Sequence, residues 1–150
     1  MEEIKIRFAN SNDFDNVADL SKRFADECCC NGVKAESEEF YRDKKVLVAT
    51  TTNNLIVGYL YFTIENDTKT TPYGQKGDLT LWLEELFVLP SYRKNGAGKM
   101  LFDFVEQYAK QEGCKSLRGS AVSKDYKRLL KFYIEKLGMD FWSALLIKNL

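Results

Sequence analysis

Histidine is absent from the 150-residue chain, which removes imidazole bases, histidine-containing triads and most zinc-ligand sets. Proton transfer must then rely on carboxylates, tyrosines, lysines or water. Cysteine is scarce and badly spaced for bridging: three of the four are consecutive at Cys28, Cys29 and Cys30, and neighbouring cysteines cannot pair without strain. There is no Cys-x-x-Cys pair, so no metal is expected, and the thiols suit a reducing compartment. Net charge is missing too. Lys+Arg and Asp+Glu each total 22, so no overall field draws the chain to nucleic acid or an anionic membrane. No apolar run approaches the ~20 residues of a membrane span, and "MEEIKIRFANSNDF" lacks the positive-then-apolar pattern of a secretory signal. The expectation is one soluble, cytoplasmic domain over residues 1–150, without nucleic-acid or membrane partners.

Periodicity supplies the elements. Ile4, Ile6 and Phe8 alternate with Lys5 and Arg7 as in a half-buried strand. Ser11 or Asp13 can cap a helix carrying Phe14, Val17, Ala18, Phe24, Ala25 and Cys28 on one face, with Asn31-Gly32 as its stop. Ser37, Glu38 and Glu39 open a shorter helix to Asp43. "KVLVATTTNNLIVGYLYFTIEN" reads as a hairpin turning at Asn53-Asn54, and residues 66–78 form a polar loop long enough to be functional. Leu79 to Leu89 is a strand closed by Pro90. Met100, Leu101, Phe104, Val105, Tyr108 and Ala109 mark a helix ending at Gly113. Ser116 to Val122 reads as a short strand, Tyr126 to Leu137 as a helix ending at Gly138, and "FWSALLIKNL" as a last strand. A hairpin requires antiparallel pairing and helical crossovers require parallel pairing, so the fold class is α/β with a mixed sheet.

"RKNGAGKM", Arg93 to Met100, is the segment that points to chemistry. It is not a nucleotide P-loop: Arg93 stands at the first glycine position, and Met100 replaces the hydroxyl that would hold magnesium. Nor is it a dinucleotide fingerprint, since Leu101 stands at the third glycine. What remains is a strand, a turn containing Gly96 and Gly98, and a helix beginning there. Unpaired N–H groups at such a helix start, approachable because of the glycines, suit a pyrophosphate.

"LEELFVLPSYRKNGAGKMLFDFVEQ" resembles the coenzyme-binding core of the GNAT superfamily of N-acetyltransferases, whose signature is [RQ]-x-x-G-x-[GA] after a strand ending in V-x-P. Arg93, Gly96 and Gly98 fill the three positions, and Val88-Leu89-Pro90 ends the strand. "KFYIEKLGM" resembles the later landmark of the family, and "IKIRFANSNDFDNVADL" its first strand and helix. The resemblance implies a GNAT-like mixed sheet with an antiparallel N-terminal meander and two splayed parallel strands, flanked by about four helices. It also implies acetyl-coenzyme A as cosubstrate. The pyrophosphate would lie on Arg93, Lys94, Asn95, Gly96, Ala97, Gly98 and Lys99, and the pantetheine arm would pair along Phe87, Val88 and Leu89.

Acetyl transfer to an amine needs a base, oxyanion stabilisation and a proton for the thiolate. Glu84 and Glu85 sit in an otherwise apolar strand, where a carboxylate is costly unless it is partnered or faces a cleft. Alternation sends the two to opposite faces unless a bulge intervenes. The resemblance favours Glu84 as base, with Glu85 second and a backbone N–H near Phe87 or Val88 meeting the oxyanion. Tyr133 is the implied acid for the thiolate. It stands five residues before Gly138, where the family tyrosine stands four before, so it is in register only if a helical bulge absorbs one residue.

Acidic residues Glu27, Glu36, Glu38, Glu39, Asp43, Asp67 and Asp78 would suit a cationic acceptor, and Tyr41, Tyr59, Tyr61, Phe62 and Tyr73 could shape its pocket. The expected partner is a small-molecule or peptide amine, and a homodimer is compatible with the sequence. The alternative reading is a non-catalytic acyl-coenzyme A binding module that regulates another protein.

Overall fold

The computed structural model describes residues 2–150. Five strands form one sheet in the order β1 (Ile4–Phe8), β2 (Lys45–Thr51), β3 (Ile56–Asn66), β4 (Leu79–Val88) and β5 (Ser116–Gly119). The first four are antiparallel, and β5 runs parallel to β4. Helices α1 (Phe14–Asp26) and α2 (Glu38–Arg42) separate β1 from β2. After β4 comes a 3-10 turn over Pro90–Asn95, and helix α3 (Ala97–Gln111) then crosses to β5. A short α4 (Tyr126–Lys131) runs directly into a π-helical turn over Phe132–Lys136.

Alternation along β2 explains the layering. Val46 and Val48 pack on one face against Phe14, Val17 and Leu20 of α1 and Tyr41 of α2. Leu47 and Ala49 pack on the other, beneath Leu101, Phe102, Val105 and Ala109 of α3. Both faces of the sheet are therefore covered near its centre, and the binding surfaces are left to strand ends and loops.

Four expectations need correction. Helix α1 ends at Asp26 rather than at Asn31-Gly32, because Cys28 takes a left-handed backbone (φ 50°). Asp13 is the N-cap residue but makes no side-chain cap, its carboxylate being held instead by Arg7 (2.6 and 3.0 Å) and the Asn10 N–H. Strand β5 stops at Gly119, short of Val122, since β4 diverges beyond Leu83 and offers no further ladder. Residues 139–150 form no strand: they make no ladder with the sheet, and Leu145, Leu146 and Ile147 are 79–90% exposed. Among the described residues no helix is long and apolar enough to cross a membrane.

Candidate active site

The site starts where β4 and β5 part. Their parallel ladder runs from Thr80↔Ser116 to Leu83↔Gly119 and then stops, leaving Glu84 to Val88 without a neighbour on that side. A cleft of about 600 Å³ opens along this gap, lined by Leu83 to Val88, Gly119 to Ser123 in part, the start of α3, the α4 region and the loop after α1. Backbone direction follows from the opposite ladder. The Leu89 N–H donates to Val57 (2.8 Å), so alternation turns Phe87 toward β3 and the N–H and C=O of Val88 toward the gap. Arg93 Nε takes the Val88 carbonyl (2.8 Å), and the Val88 N–H is left as a donor aimed into the cleft.

Beside this gap β4 carries a bulge. Tyr61 faces Glu85 and the next residue, Phe62, faces Leu83, so Glu84 is the extra residue. As a result both carboxylates lie on the Tyr59–Tyr61–Thr63 face. Thr63 donates to Glu84 Oε1 (2.8 Å), while the Tyr41 and Tyr59 hydroxyls both donate to Glu85 Oε2 (2.7 and 2.8 Å). Sequence alternation alone would have separated them. Burial raises the Glu85 carboxyl above the ordinary glutamate range, against the lowering effect of the two phenol hydrogen bonds, and the charges of Glu36 and Glu84 raise it further. Burial likewise raises the phenols of Tyr41 and Tyr59, which stay neutral donors. Glu84 is exposed and Glu85 half-buried, so the two carboxylates differ in character although they share a face.

At the other end of the cleft, Gly96 turns the chain with φ 77° and nothing within 4 Å of where a Cβ would stand. Helix α3 begins immediately, and the Met100 N–H donates back to Gly96 (3.0 Å), so the N–H groups of Gly98 and Lys99 precede the first intrahelical bond. Lys99, Arg128, Lys131 and Lys136 line the same cleft. The Arg93 guanidinium is already engaged: Nη2 donates to both Glu27 oxygens (2.6 and 2.7 Å), and the group lies over the Phe87 ring (5.5 Å). It clamps the end of α1 to β4. An open left-handed glycine, unpaired helix-start amides and surrounding cations together fit a pyrophosphate-bearing coenzyme.

Tyr133 lines the cleft, and the helix carrying it has its π turn over Phe132–Lys136, with the Leu137 N–H bonded to Phe132 (3.2 Å), five residues back. The turn takes up the extra residue between Tyr133 and Gly138. Burial, with a contribution from Cys30, pushes the Tyr133 phenol up to about 12. Cys30 is itself raised to about 11, mainly by burial.

Of the other expected residues, Glu84, Glu85, Phe87, Val88, Arg93, Gly96, Gly98 and Lys99 line this cleft. Ala97, the first residue of α3, is buried in the core between that helix and the sheet, and Leu89 packs between the two cores. Lys94 and Asn95 lie in the 3-10 turn outside the lining. Two of the acidic residues expected to attract an acceptor are spent on arginines. Glu27 holds Arg93, and Asp67 forms a two-pronged pair with Arg118 (2.9 and 2.8 Å) that draws its carboxyl below the usual range. Phe62 faces the α3 core, and Tyr73 stacks on Arg118. The cysteine loop and Arg128 carry no sequence signal as parts of a site, because each reaches the cleft only through long-range packing. The cysteine loop arrives by pairing of Cys30 with Ser123 and by the Lys124 N–H bonding Cys29 (2.8 Å).

The profile of the Acetyltransferase (GNAT) family matches residues 13–139. The chain belongs to the GNAT acetyltransferase family. No curated protein matches it in sequence, but solved structures share the fold. The aminoglycoside N-acetyltransferase AAC(6')-Iy in complex with CoA superposes with TM-score 0.77 at 18% identity, over 99% of this chain and 95% of that one. A Trypanosoma brucei acetyltransferase gives 0.71 at 21%, over 99% and 100%. The BH1408 protein of Bacillus halodurans, solved as a tetramutant, gives 0.78 at 21%, over 97% and 99%. The splayed β4–β5 gap and the glycine turn before α3 thus lie in a GNAT fold that supports acetyl transfer.

Proposed function

We propose that this GNAT chain moves an acetyl group from acetyl-coenzyme A to a primary amine by direct attack of the amine on the thioester. The observation that carries the reading is one cleft that has phosphate-competent amides at the start of α3, a free Val88 N–H in the strand gap and the Glu84–Glu85 pair beside it. When bound, acetyl-coenzyme A supplies the activated acetyl group. The Gly98 and Lys99 N–H groups, with Lys99 and Arg128, hold its phosphates. The Val88 N–H meets the carbonyl oxygen where negative charge develops.

Glu84 or Glu85 takes the proton from the amine. Sequence resemblance favours Glu84, and the environment favours Glu85: a carboxylate raised toward neutrality by burial is a stronger base than an exposed one. Tyr133 donates to the thiolate. Full transfer from a phenol near 12 to a thiolate of ordinary pKa about 8.5 is uphill by roughly 5 kcal/mol, so Tyr133 stabilises the leaving sulfur by hydrogen bonding more than by complete protonation.

The acceptor is a cation. The half-buried Tyr61 phenol is raised by burial and then by the charges of Glu84, Glu85, Asp43 and Glu36, so carboxylates from three segments converge on one aromatic surface. AAC(6')-Iy has been solved with the bisubstrate analog CoA-S-monomethyl-acetylneamine, which makes polycationic amino sugars one acceptor class to examine beside diamines and basic peptides. The test is acceptor-dependent thiol release from acetyl-coenzyme A across those classes, with the N-acetylated product identified by mass spectrometry. Tight coenzyme binding without release over a broad panel would favour a regulatory binding module.

A further inference from the structure

Acetyl transfer leaves one nucleophilic pair in the cleft unused. Cys29 and Cys30 both line it, together with Val88 and Tyr133, and their Sγ atoms stand 3.7 Å apart. The loop that carries them is fastened at both ends. Glu27, two residues before the pair, is held by Arg93 (2.6 and 2.7 Å). On the far side the Asn31 N–H donates to Val122 (3.0 Å) and the Lys124 N–H to Cys29 (2.8 Å), and the Ser123 hydroxyl donates to the Cys29 carbonyl (3.4 Å). Backbone bonds thus hold two thiols side by side in the cleft wall. The other two cysteines are placed differently: Cys28 is exposed, and Cys114 packs against the α3 core.

The rest of the cleft decides what reaches this pair. Cys30 lies near enough to Tyr133 to help raise its phenol, and in the proposed reaction Tyr133 faces the leaving sulfur. A coenzyme with its phosphates at the start of α3 and its arm along Val88 therefore brings its own sulfur beside Cys30. The groups facing the Cys30 thiol are Cys29, Glu27, Arg93 and Tyr133. Burial raises it most, then the hydrogen bond and charge of Cys29 and the charge of Glu27, against the lowering effect of Arg93. A raised thiol ionises less, but once ionised it is the stronger nucleophile and the poorer leaving group. A bond made to it resists an outside thiol that attacks the partner sulfur, because that attack must expel Cys30.

We infer that Cys30 is a modification site at which the protein takes up coenzyme A as a mixed disulfide from coenzyme A disulfide, and that Cys29 is the thiol that releases it. The inference rests on the reading that this cleft takes coenzyme A. In the first step the Cys30 thiolate, its proton given to water, attacks the sulfur of the coenzyme half seated in the cleft. The S–S bond of the coenzyme disulfide breaks, and the other half leaves with the electron pair and takes up a proton. Cys30 is oxidised and the departing half is reduced. In the second step the Cys29 thiolate attacks the Cys30 sulfur, and the tethered coenzyme leaves as its thiolate and is protonated. The Cys29–Cys30 disulfide that remains joins adjacent residues and is strained, and strained disulfides are readily reduced, so added thiol restores the pair. While tethered, the coenzyme occupies the place of acetyl-coenzyme A and blocks transfer.

The experiment is a time course of intact mass and peptide mapping on the full-length protein with coenzyme A disulfide and no reductant, run beside Cys29→Ser. Glutathione disulfide serves as the comparison oxidant, and calorimetry measures reversible binding of reduced coenzyme A. Cys29→Ser should gain one coenzyme A less two hydrogens, mapped to Cys30, and keep it. The unaltered protein should gain the same adduct and then lose it, ending two hydrogens lighter with Cys29 joined to Cys30, and dithiothreitol should restore its starting mass. Glutathione disulfide, which lacks the phosphates that the start of α3 would hold, should modify Cys30 at least about tenfold more slowly. Equal rates for the two oxidants, or an adduct on Cys28 or Cys114 in place of Cys30, overturn the inference. So does an adduct that the unaltered protein keeps as long as Cys29→Ser does. If Cys29→Ser fails to fold, mapping of early time points in the unaltered protein decides. Reversible coenzyme binding without an adduct on Cys30 sinks this inference alone, whereas no binding at all sinks the coenzyme reading with it.

Discussion

Gly58 sits on β3 where that strand supports the end of β4. A Cβ added there would stand 2.9 Å from the Phe87 carbonyl oxygen, 3.0 Å from Val88 Cγ2 and 3.3 Å from Val88 Cα. Two of these three neighbours are backbone, so the strand end must move. Overpacking of this kind costs about 1–3 kcal/mol. Replacing glycine returns about 0.4–1 kcal/mol by restricting the unfolded chain, so Gly58→Ala should destabilise by up to about 2.6 kcal/mol. For a chain of this size that is a fall of up to about 10 °C in melting temperature. Because the shifted atoms belong to Phe87 and Val88, the KM for acetyl-coenzyme A should rise severalfold as well. Gly113→Ala provides the control. Its φ of 80° imposes backbone strain, but nothing lies within 4 Å, so it should lose about 1 kcal/mol without affecting coenzyme binding. Thermal unfolding and steady-state kinetics on both variants check the reasoning. A Gly58→Ala protein as stable as the parent, with an unchanged KM, would refute the claim that contact at Gly58 positions the β4 end.

Four further outcomes follow from the same geometry. Removing a phenol donor from Glu85, by Tyr41→Phe or Tyr59→Phe, takes away an interaction that lowers its pKa. The acid limb of the kcat/KM profile should therefore move to higher pH if Glu85 is the base and stay put if Glu84 is. Tyr133→Phe should lower kcat about tenfold, the loss of one hydrogen bond of roughly 1.4 kcal/mol to the leaving sulfur, with little change in KM. Arg93→Lys keeps the charge but loses the fork that spans Glu27 and Val88, so coenzyme KM should rise in this variant almost as in Arg93→Ala. Asp13 is depressed below its unfolded pKa chiefly by its hydrogen bond to Arg7. Its stabilising contribution is thus present above pH ~4 and lost as pH falls through the lowered folded value. Asp13→Asn should flatten the dependence of urea midpoints on pH between about 5 and 2.

Local signals made much of this molecule legible. Gly96, Gly98 and the apolar stripe of α3 lie within one short stretch, and so do Pro90 and the end of β4, so turn chemistry and periodicity suffice to place the glycine turn between β4 and α3. The bulge at Glu84 depends on which residue of β3 stands opposite, and nothing in "LEEL" announces it; with it comes the shared face of the two glutamates. The Glu27–Arg93 clamp joins residues 66 apart in sequence, and the Asp67–Arg118 pair joins residues 51 apart, beyond the reach of any motif. The π turn is readable only as a spacing mismatch between Tyr133 and Gly138. The strand expected over "FWSALLIKNL" rests on composition, but a strand also needs an edge to join, and within one copy none is engaged.

The most direct test of the account is to supply acetyl-coenzyme A and a set of polycationic amines to the purified protein, measure thiol release, and locate the acetyl group on the product. Release should depend on the acceptor, the acetyl group should sit on a primary nitrogen, and the rate should fall at least about a hundredfold when Glu84 and Glu85 are both replaced by glutamine. Acceptor-dependent release unaffected by that double replacement, or coenzyme binding with no acceptor consumed, would contradict it.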